Sequence, residues 1–294
     1  LRVIPLRENL SRQQARTYSL VCSVLNIRHS ISRCGEHWTL SVAGEDAARA
    51  REALSRYEAH NPPPDPADEI RRRPPGAFSG LWAAALLAGM HLARVSSDSP
   101  DQVVSACGAS AGAILQGEWY RTITALMIHA DALHLVGNLV GIALFGTAVA
   151  SLCGWGLGWL MVLASGGLGN ALNAVFFRSG HLSVGSSTAI FGALGILSAI
   201  QFARRIRTPG ERFRALLPLG GGLALLAVLG TAQNSDLLAH LFGFAAGMSL
   251  GGAFALLTEA APGRRCQFYA LAAAAVCIGF SSWACGLGGF ACGP

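Results

Sequence analysis

A glycine-flanked pair of hydroxyls, Gly185-Ser186-Ser187, runs directly into an apolar segment, and a later apolar segment carries a single histidine, His240, followed by Gly243, Gly247 and Gly251. A serine hydroxyl is a poor nucleophile until a base removes its proton, and histidine is the usual base near neutral pH. On a third apolar segment His134 and Asn138 stand four residues apart, so on a helix they project from one face. Such side chains, together with the free N–H groups at a helix start, are the donors that a developing oxyanion requires. Nucleophile, base and oxyanion donors are the parts of an acyl-transfer site, and peptide-bond hydrolysis is the chemistry they suit.

Those residues need helices that bring them together, and the composition says in what solvent. Of 294 residues, 52% are hydrophobic and only 13% are charged, a departure from soluble usage toward membrane proteins. Charge is concentrated early: Leu1 to Arg73 holds 12 of the 22 basic and 9 of the 16 acidic residues. Every basic residue is Arg, which reads as codon usage rather than nucleic-acid binding. Beyond this point seven apolar segments of about spanning length follow, at Ala77 to Val95, Ala132 to Leu152, Trp155 to Phe177, Leu182 to Phe202, Leu216 to Thr231, Leu237 to Leu257 and Phe268 to Gly286. The fifth is the shortest.

Arg71-Arg72-Arg73 precedes the first span, a positive-inside signal that sets the N-terminus in the cytoplasm. Threading from there puts Arg204, Arg205, Arg207, Arg212 and Arg214 in one inner loop and Arg264 and Arg265 in another, which fits the same rule twice. The net charge of +6 is then a matter of topology. The outer connections become Ser96 to Thr122, Arg178 to His181 and Ala232 to Asp236. This threading sets Ser187 near the outer end of the fourth span and His240 about one turn inside the outer end of the sixth, at similar depth. The four-residue repeat of Gly243, Gly247 and Gly251 would let the two spans approach closely.

Residues 1–61 read as a small cytosolic α+β domain. A helix over Gln13 to Asn26 offers Tyr18, Leu20, Val21, Val24 and Leu25 as a stripe, two short strands follow at Ser30-Ser32 and Trp38-Val42, and a second helix runs from Gly44 through Tyr57. No cluster of reactive side chains is visible there, and an accessory or regulatory role is expected. Residues 62–76 form a Pro- and Arg-rich linker that cannot continue a helix. The membrane core is expected over 77–260, with a further helix and tail over 261–294.

Eight cysteines show no CxxC pair and no zinc spacing, so neither a metal nor another cofactor is expected. Cys107, Cys285 and Cys292 are the thiols placed toward an oxidising side, and spacing does not choose a pair among them.

A serine in a membrane helix is commonly a packing residue, and a lone Gly-x-Ser or GxxxG says little. A histidine inside a span is a stronger signal, because ionisable groups there are costly and usually functional. His91, on the first span, has no second motif around it and is read as structural or lumen-facing, while His129 lies near the outer surface and is read as solvated. Asp236, one turn before His240, reads as an N-cap with Ser235 rather than as a third catalytic group.

Taken together, residues 100–260 resemble the rhomboid intramembrane serine proteases. The resemblance is carried by Glu118-Trp119-Tyr120-Arg121 in the first outer loop, by His134-Leu135-Val136-Gly137-Asn138, by Gly185-Ser186-Ser187, and by Ala239-His240 with Gly243 and Gly247. It implies a polytopic α-helical fold with a six-helix core and a seventh C-terminal helix. It also implies Ser187, rather than Ser186, as nucleophile and His240 as its base in a dyad without an acid. His134 and Asn138 would help form the oxyanion hole, and Arg121 would belong to a conformationally important outer loop lying in the membrane surface. Thr188 departs from the family pattern, where the residue after the nucleophile is usually small, and a tighter site is expected. The implied activity is metal-independent cleavage of transmembrane protein substrates near the outer boundary of the lipid bilayer, in a bacterial inner membrane. An inactive scaffold binding transmembrane clients is the alternative. A transporter would show inverted repeats and mid-membrane charges, and the sequence has neither.

Overall fold

The computed structural model describes residues 3–35, 37–61, 79–206, 213–229, 236–258 and 261–291. It divides into two units, Leu1–Arg72 and Arg73–Pro294. The expected linker at 62–76, Arg207, Arg212, residues 232–235 of the expected last outer connection and Cys292 lie outside the described residues.

The first unit begins with a strand, β1 (Val3–Leu10), which is not among the expected elements. Helix α1 (Arg12–Val24) follows, entered through a capping box in which Ser11 and Gln14 satisfy each other's backbone N–H groups. Strands β2 (His29–Cys34) and β3 (His37–Ala43) and helix α2 (Ala47–His60) complete it. The sheet is antiparallel in the order β1-β3-β2, so β1 is an edge. That position explains how Pro5 is tolerated within a strand, and the register of β1 shifts on either side of Arg7. The buried face of α1 is Ala15 and Cys22, with Tyr18 and Val21 partly covered, while Leu20, Val24 and Leu25 are exposed. The expected stripe was therefore rotated: small Ala15 and Cys22, not the bulkier Leu and Val, fit closely over Leu40, Val42 and Leu54.

The second unit is helical. Helix α3 (Ser79–Val95) leads to a connecting segment that is itself structured, with α4 (Pro100–Cys107), strand β4 (Ala109–Ser110), α5 (Ala111–Leu115) and α6 (Arg121–Thr124). Then come α7 (Ala132–Cys153), which includes a π-helical stretch over Ile142–Gly146, α8 (Leu157–Phe177) and strand β5 (Leu182–Ser183). Helices α9 (Ser187–Ile206), α10 (Leu216–Leu229), α11 (Leu237–Leu257) and α12 (Arg264–Ala291) complete the chain. Among the described residues, five helices are long and apolar enough to cross a membrane: α7, α8, α9, α11 and Arg264–Gly286 of α12. The other two expected spans are shorter, 17 residues in α3 and 14 in α10. Many side chains on these helices, Leu133, Val228, Leu257 and Phe268 among them, are apolar and exposed. Without lipid around it that surface would be costly, and the chain is an integral membrane protein.

The fourth span starts later than its apolar run suggested. Leu182 and Ser183 pair antiparallel with Ser110 and Ala109, and Gly185 adopts φ 119°, a backbone conformation that ends any helix before Ser187. Helix α9 packs most extensively against α11 and α8, around a core that includes Leu126, Val162, Ile190 and Ile196.

Helix α12 is fastened near both ends. Gln267, 3% exposed, accepts from the N–H groups of Gly156 and Leu157 and donates to the carbonyl of Cys153, closing the α7–α8 turn. At the far end Cys285 forms a disulfide with Cys107 at the end of α4. Gln267 and Cys285 are separated by roughly 27 Å of helix, close to the thickness of about 30 Å of a bilayer core. The bridge links positions 178 residues apart. Reducing it, or substituting Cys285→Ser, is expected to lower the thermal midpoint by on the order of 10 °C. Melting curves with and without reductant check this, and the Cys285→Ser protein should be indifferent to reductant.

Candidate active site

The residues around Ser187 are set by a turn that is hydrogen-bonded on both sides. The N–H of Gly185 donates to the carbonyl of Ala125 at 2.9 Å, and the N–H of Ala111 donates to the carbonyl of His181 at 2.9 Å. Ser187 is the first residue of α9, and Ile190 N–H closes the first turn onto Ser186. The N–H groups that precede Ile190 have no acceptor within the helix and point toward its start.

His240 lies on the first turn of α11, whose N-cap is Asp236, accepting from Ala239 N–H at 3.0 Å. Its Nε2 is 2.7 Å from Ser187 Oγ. The ring is buried and rests against Phe191, centroid to centroid 4.5 Å, which limits its rotation. A hydrogen bond between these side chains requires α9 and α11 to be nearly in backbone contact, and glycine makes that possible. A Cβ on Gly243 would land on the carbonyl oxygen of Thr188, and one on Gly247 on that of Gly192. Thr188 itself is buried with its methyl group against Gly169 and Gly243. Its extra bulk is taken up by two glycines between helices rather than by the space at Ser187.

His134 and Asn138 both adjoin the Ser187 turn. A Cβ on Gly185 would lie 2.6 Å from His134 Nε2 and 3.7 Å from Asn138 Nδ2. Helix α7 is capped by Asp131, which accepts from His134 N–H at 2.8 Å and so fixes where the His134 side chain leaves the helix. Asn138 is buried and uses one Nδ2 hydrogen on the carbonyl of His134 at 2.9 Å, leaving its second donor for another acceptor.

Arg121 stands apart from Ser187 and His240. Its Nε donates to Glu118 at 2.6 Å, and its Nη1 donates to the carbonyls of Ser105 at 2.6 Å and Gly108 at 3.2 Å. It thus ties α6 to the C-terminal end of α4, and Thr124 adds a bond to the Cys107 carbonyl at 2.6 Å. Burial pushes the Glu118 carboxyl up, but hydrogen bonds from Arg121 and Tyr120 outweigh it and hold the group below the ordinary carboxylate range.

His129, read from sequence as solvated, is fully buried. Its Nε2 takes the backbone N–H of Ser186 at 3.4 Å, faces Ser186 Oγ at 3.3 Å, and its ring stands edge-on to His134 at 5.3 Å. The two adjacent serines therefore face different histidines. His129 sits between helices, where no periodicity marks it. The only available signal was its place five residues before His134.

A family model described as the Rhomboid domain matches residues 116–257, a stretch that contains every side chain of this site. The chain is 31% identical over 185 residues to the rhomboid protease GluP of Bacillus subtilis (strain 168), covering 60% of this chain and 36% of that protein. It is 31% identical over 137 residues to the putative rhomboid protease YdcA of the same organism, covering 47% and 68%. To RHOMBOID-like protein 1 of Arabidopsis thaliana it is 31% identical over 137 residues, covering 47% and 35%. The matched part thus spans about a third of two of these relatives and about two thirds of the other. With a helical membrane fold in which serine and histidine meet across two glycine-packed helices, the chain belongs to the rhomboid family.

Proposed function

We propose that this protein is an intramembrane serine endopeptidase that cleaves transmembrane protein substrates near the outer boundary of a bacterial inner membrane, with its N-terminus in the cytoplasm. The observation that carries the reading is the 2.7 Å contact between His240 Nε2 and Ser187 Oγ at the adjacent starts of α11 and α9. In the proposed cycle His240 Nε2 takes the hydroxyl proton as Ser187 Oγ attacks the scissile carbonyl carbon. The resulting oxyanion is met by the N–H groups opening α9 and by the Asn138 and His134 side chains. His240 then gives its proton to the leaving amine, and an acyl group remains on Ser187. Water, deprotonated by the same nitrogen, attacks this ester and releases the second product. The names of the relatives support a protease. The position of both reacting groups at helix starts on one side supports cleavage at one membrane boundary.

The test is covalent. The detergent-solubilised protein, treated with a fluorophosphonate and digested, should carry the adduct on Ser187 when the peptides are sequenced by mass spectrometry. A folded protein that takes no adduct would leave the scaffold reading, in which transmembrane clients are bound and not cut. An adduct on Ser186 would move the proposed chemistry to His129.

A further inference from the structure

Asp236 does more than cap α11. One carboxylate oxygen, Oδ1, takes the capping bond from Ala239 N–H, while Oδ2 accepts from Asn173 Nδ2 at 2.7 Å and meets His181 Nε2 at 2.6 Å. Its backbone carbonyl also accepts from His240 N–H at 3.0 Å. Asn173 is buried near the end of α8. His181 lies in the segment leading to Ser187, stacked on Phe177 at 4.0 Å, and its carbonyl holds Ala111 N–H. Three chain segments meet at a single carboxylate: the end of α8, the strand-turn that delivers Ser187, and the first turn of the helix that delivers His240.

We propose that Asp236 is a positioning residue for the dyad, and that His181 and Asn173 are the partners through which it sets the spacing between Ser187 and His240. Asp236 stands one turn before His240, and His181 six residues before Ser187, so a shift of either is passed on through short, hydrogen-bonded backbone. The carboxylate does not reach the reacting atoms, since both of its oxygens are engaged elsewhere. Burial pushes Asp236 up, yet the bonds from Ala239 and His181 outweigh this and hold it below the ordinary range, as a group acting as an ionised acceptor requires.

This inference rests on the proposed serine chemistry, and saturation kinetics with a fluorophosphonate separate the two. Asp236→Ser keeps an N-cap but is too short for Asn173 and His181. His181→Leu removes the donor, and His181→Gln keeps one. Asp236→Ser and His181→Leu should each lower the maximal rate of Ser187 modification about ten-fold with the half-saturating concentration unchanged. The double variant should be no slower than the slower single one, because both break the same link. His181→Gln should stay within about two-fold of wild type. All rates are taken well below each variant's melting midpoint, so that loss of fold does not enter. Wild-type modification by Asp236→Ser, losses that multiply in the double variant, or a His181→Gln as slow as His181→Leu would each overturn the positioning role. Absence of modification in wild type would instead remove the proposed chemistry, and the clamp's function with it.

Discussion

Ser187→Ala and His240→Ala are each expected to lower substrate cleavage by about 10⁴-fold or more, and the double variant to be little worse than either single one. The non-additivity is the informative part. A nucleophile and its base act as one unit, so removing the second after the first takes away nothing further. Among the described residues, two neighbouring candidates are engaged elsewhere. His129 faces Ser186, and the oxygens of Asp236 are taken by Ala239, Asn173 and His181. Ser186 is buried and held by His129, so Ser186→Ala should retain most activity. Cleavage of a reconstituted transmembrane substrate by all four variants checks this. Substantial activity in Ser187→Ala, or in His240→Ala with its fold intact, would remove the dyad as the source of catalysis.

Much of this arrangement was visible in the chain before any fold, and the reason is the membrane. A histidine in an apolar helix and glycines repeating on one face are local signals, and lipid leaves few other uses for them. What stayed hidden depends on contacts between distant residues. The apolar run from Leu182 has a helical look, yet Leu182 and Ser183 give their backbone bonds to Ser110 and Ala109 in the segment between α3 and α7. Strand β1 is hard to read from the chain, because Pro5 argues against a strand unless that strand is known to be an edge. Cys107 and Cys285 pair because α12 brings its far end to α4, a closure over 178 residues that no spacing rule expresses. Asp236 was readable as a cap from its place before α11. Its bonds to Asn173 and His181 were not, since those partners lie on other elements.

The largest structural effect is expected where α9 and α11 touch. Gly243→Val and Gly247→Val each place carbon atoms on backbone, the carbonyls of Thr188 and Gly192, and backbone within two packed helices cannot step aside as a flexible side chain can. The helices must separate, which forfeits the contacts around Ile196 and Phe244 and pulls Nε2 of His240 away from Ser187. Destabilisation of about 3 kcal/mol or more is expected for each, with loss of Ser187 modification even in the fraction that remains folded. Gly252 and Gly137 supply the contrast. Each lies within a helix, and nothing comes within 4 Å of an added Cβ. Gly252→Ala and Gly137→Ala should therefore be neutral or stabilising by up to about 1 kcal/mol, because alanine has less backbone freedom to lose. Thermal midpoints of the four variants, read beside fluorophosphonate labelling, decide the matter. If the Gly243 and Gly247 variants melt and label like the Gly252 and Gly137 ones, the close approach of the two helices is not what brings serine and histidine together. Should the first pair alone fail, the four-residue glycine period is the sequence feature that sets the geometry of the dyad, and the reactive side chains are only as well placed as the two hydrogens that stand where methyl groups would clash.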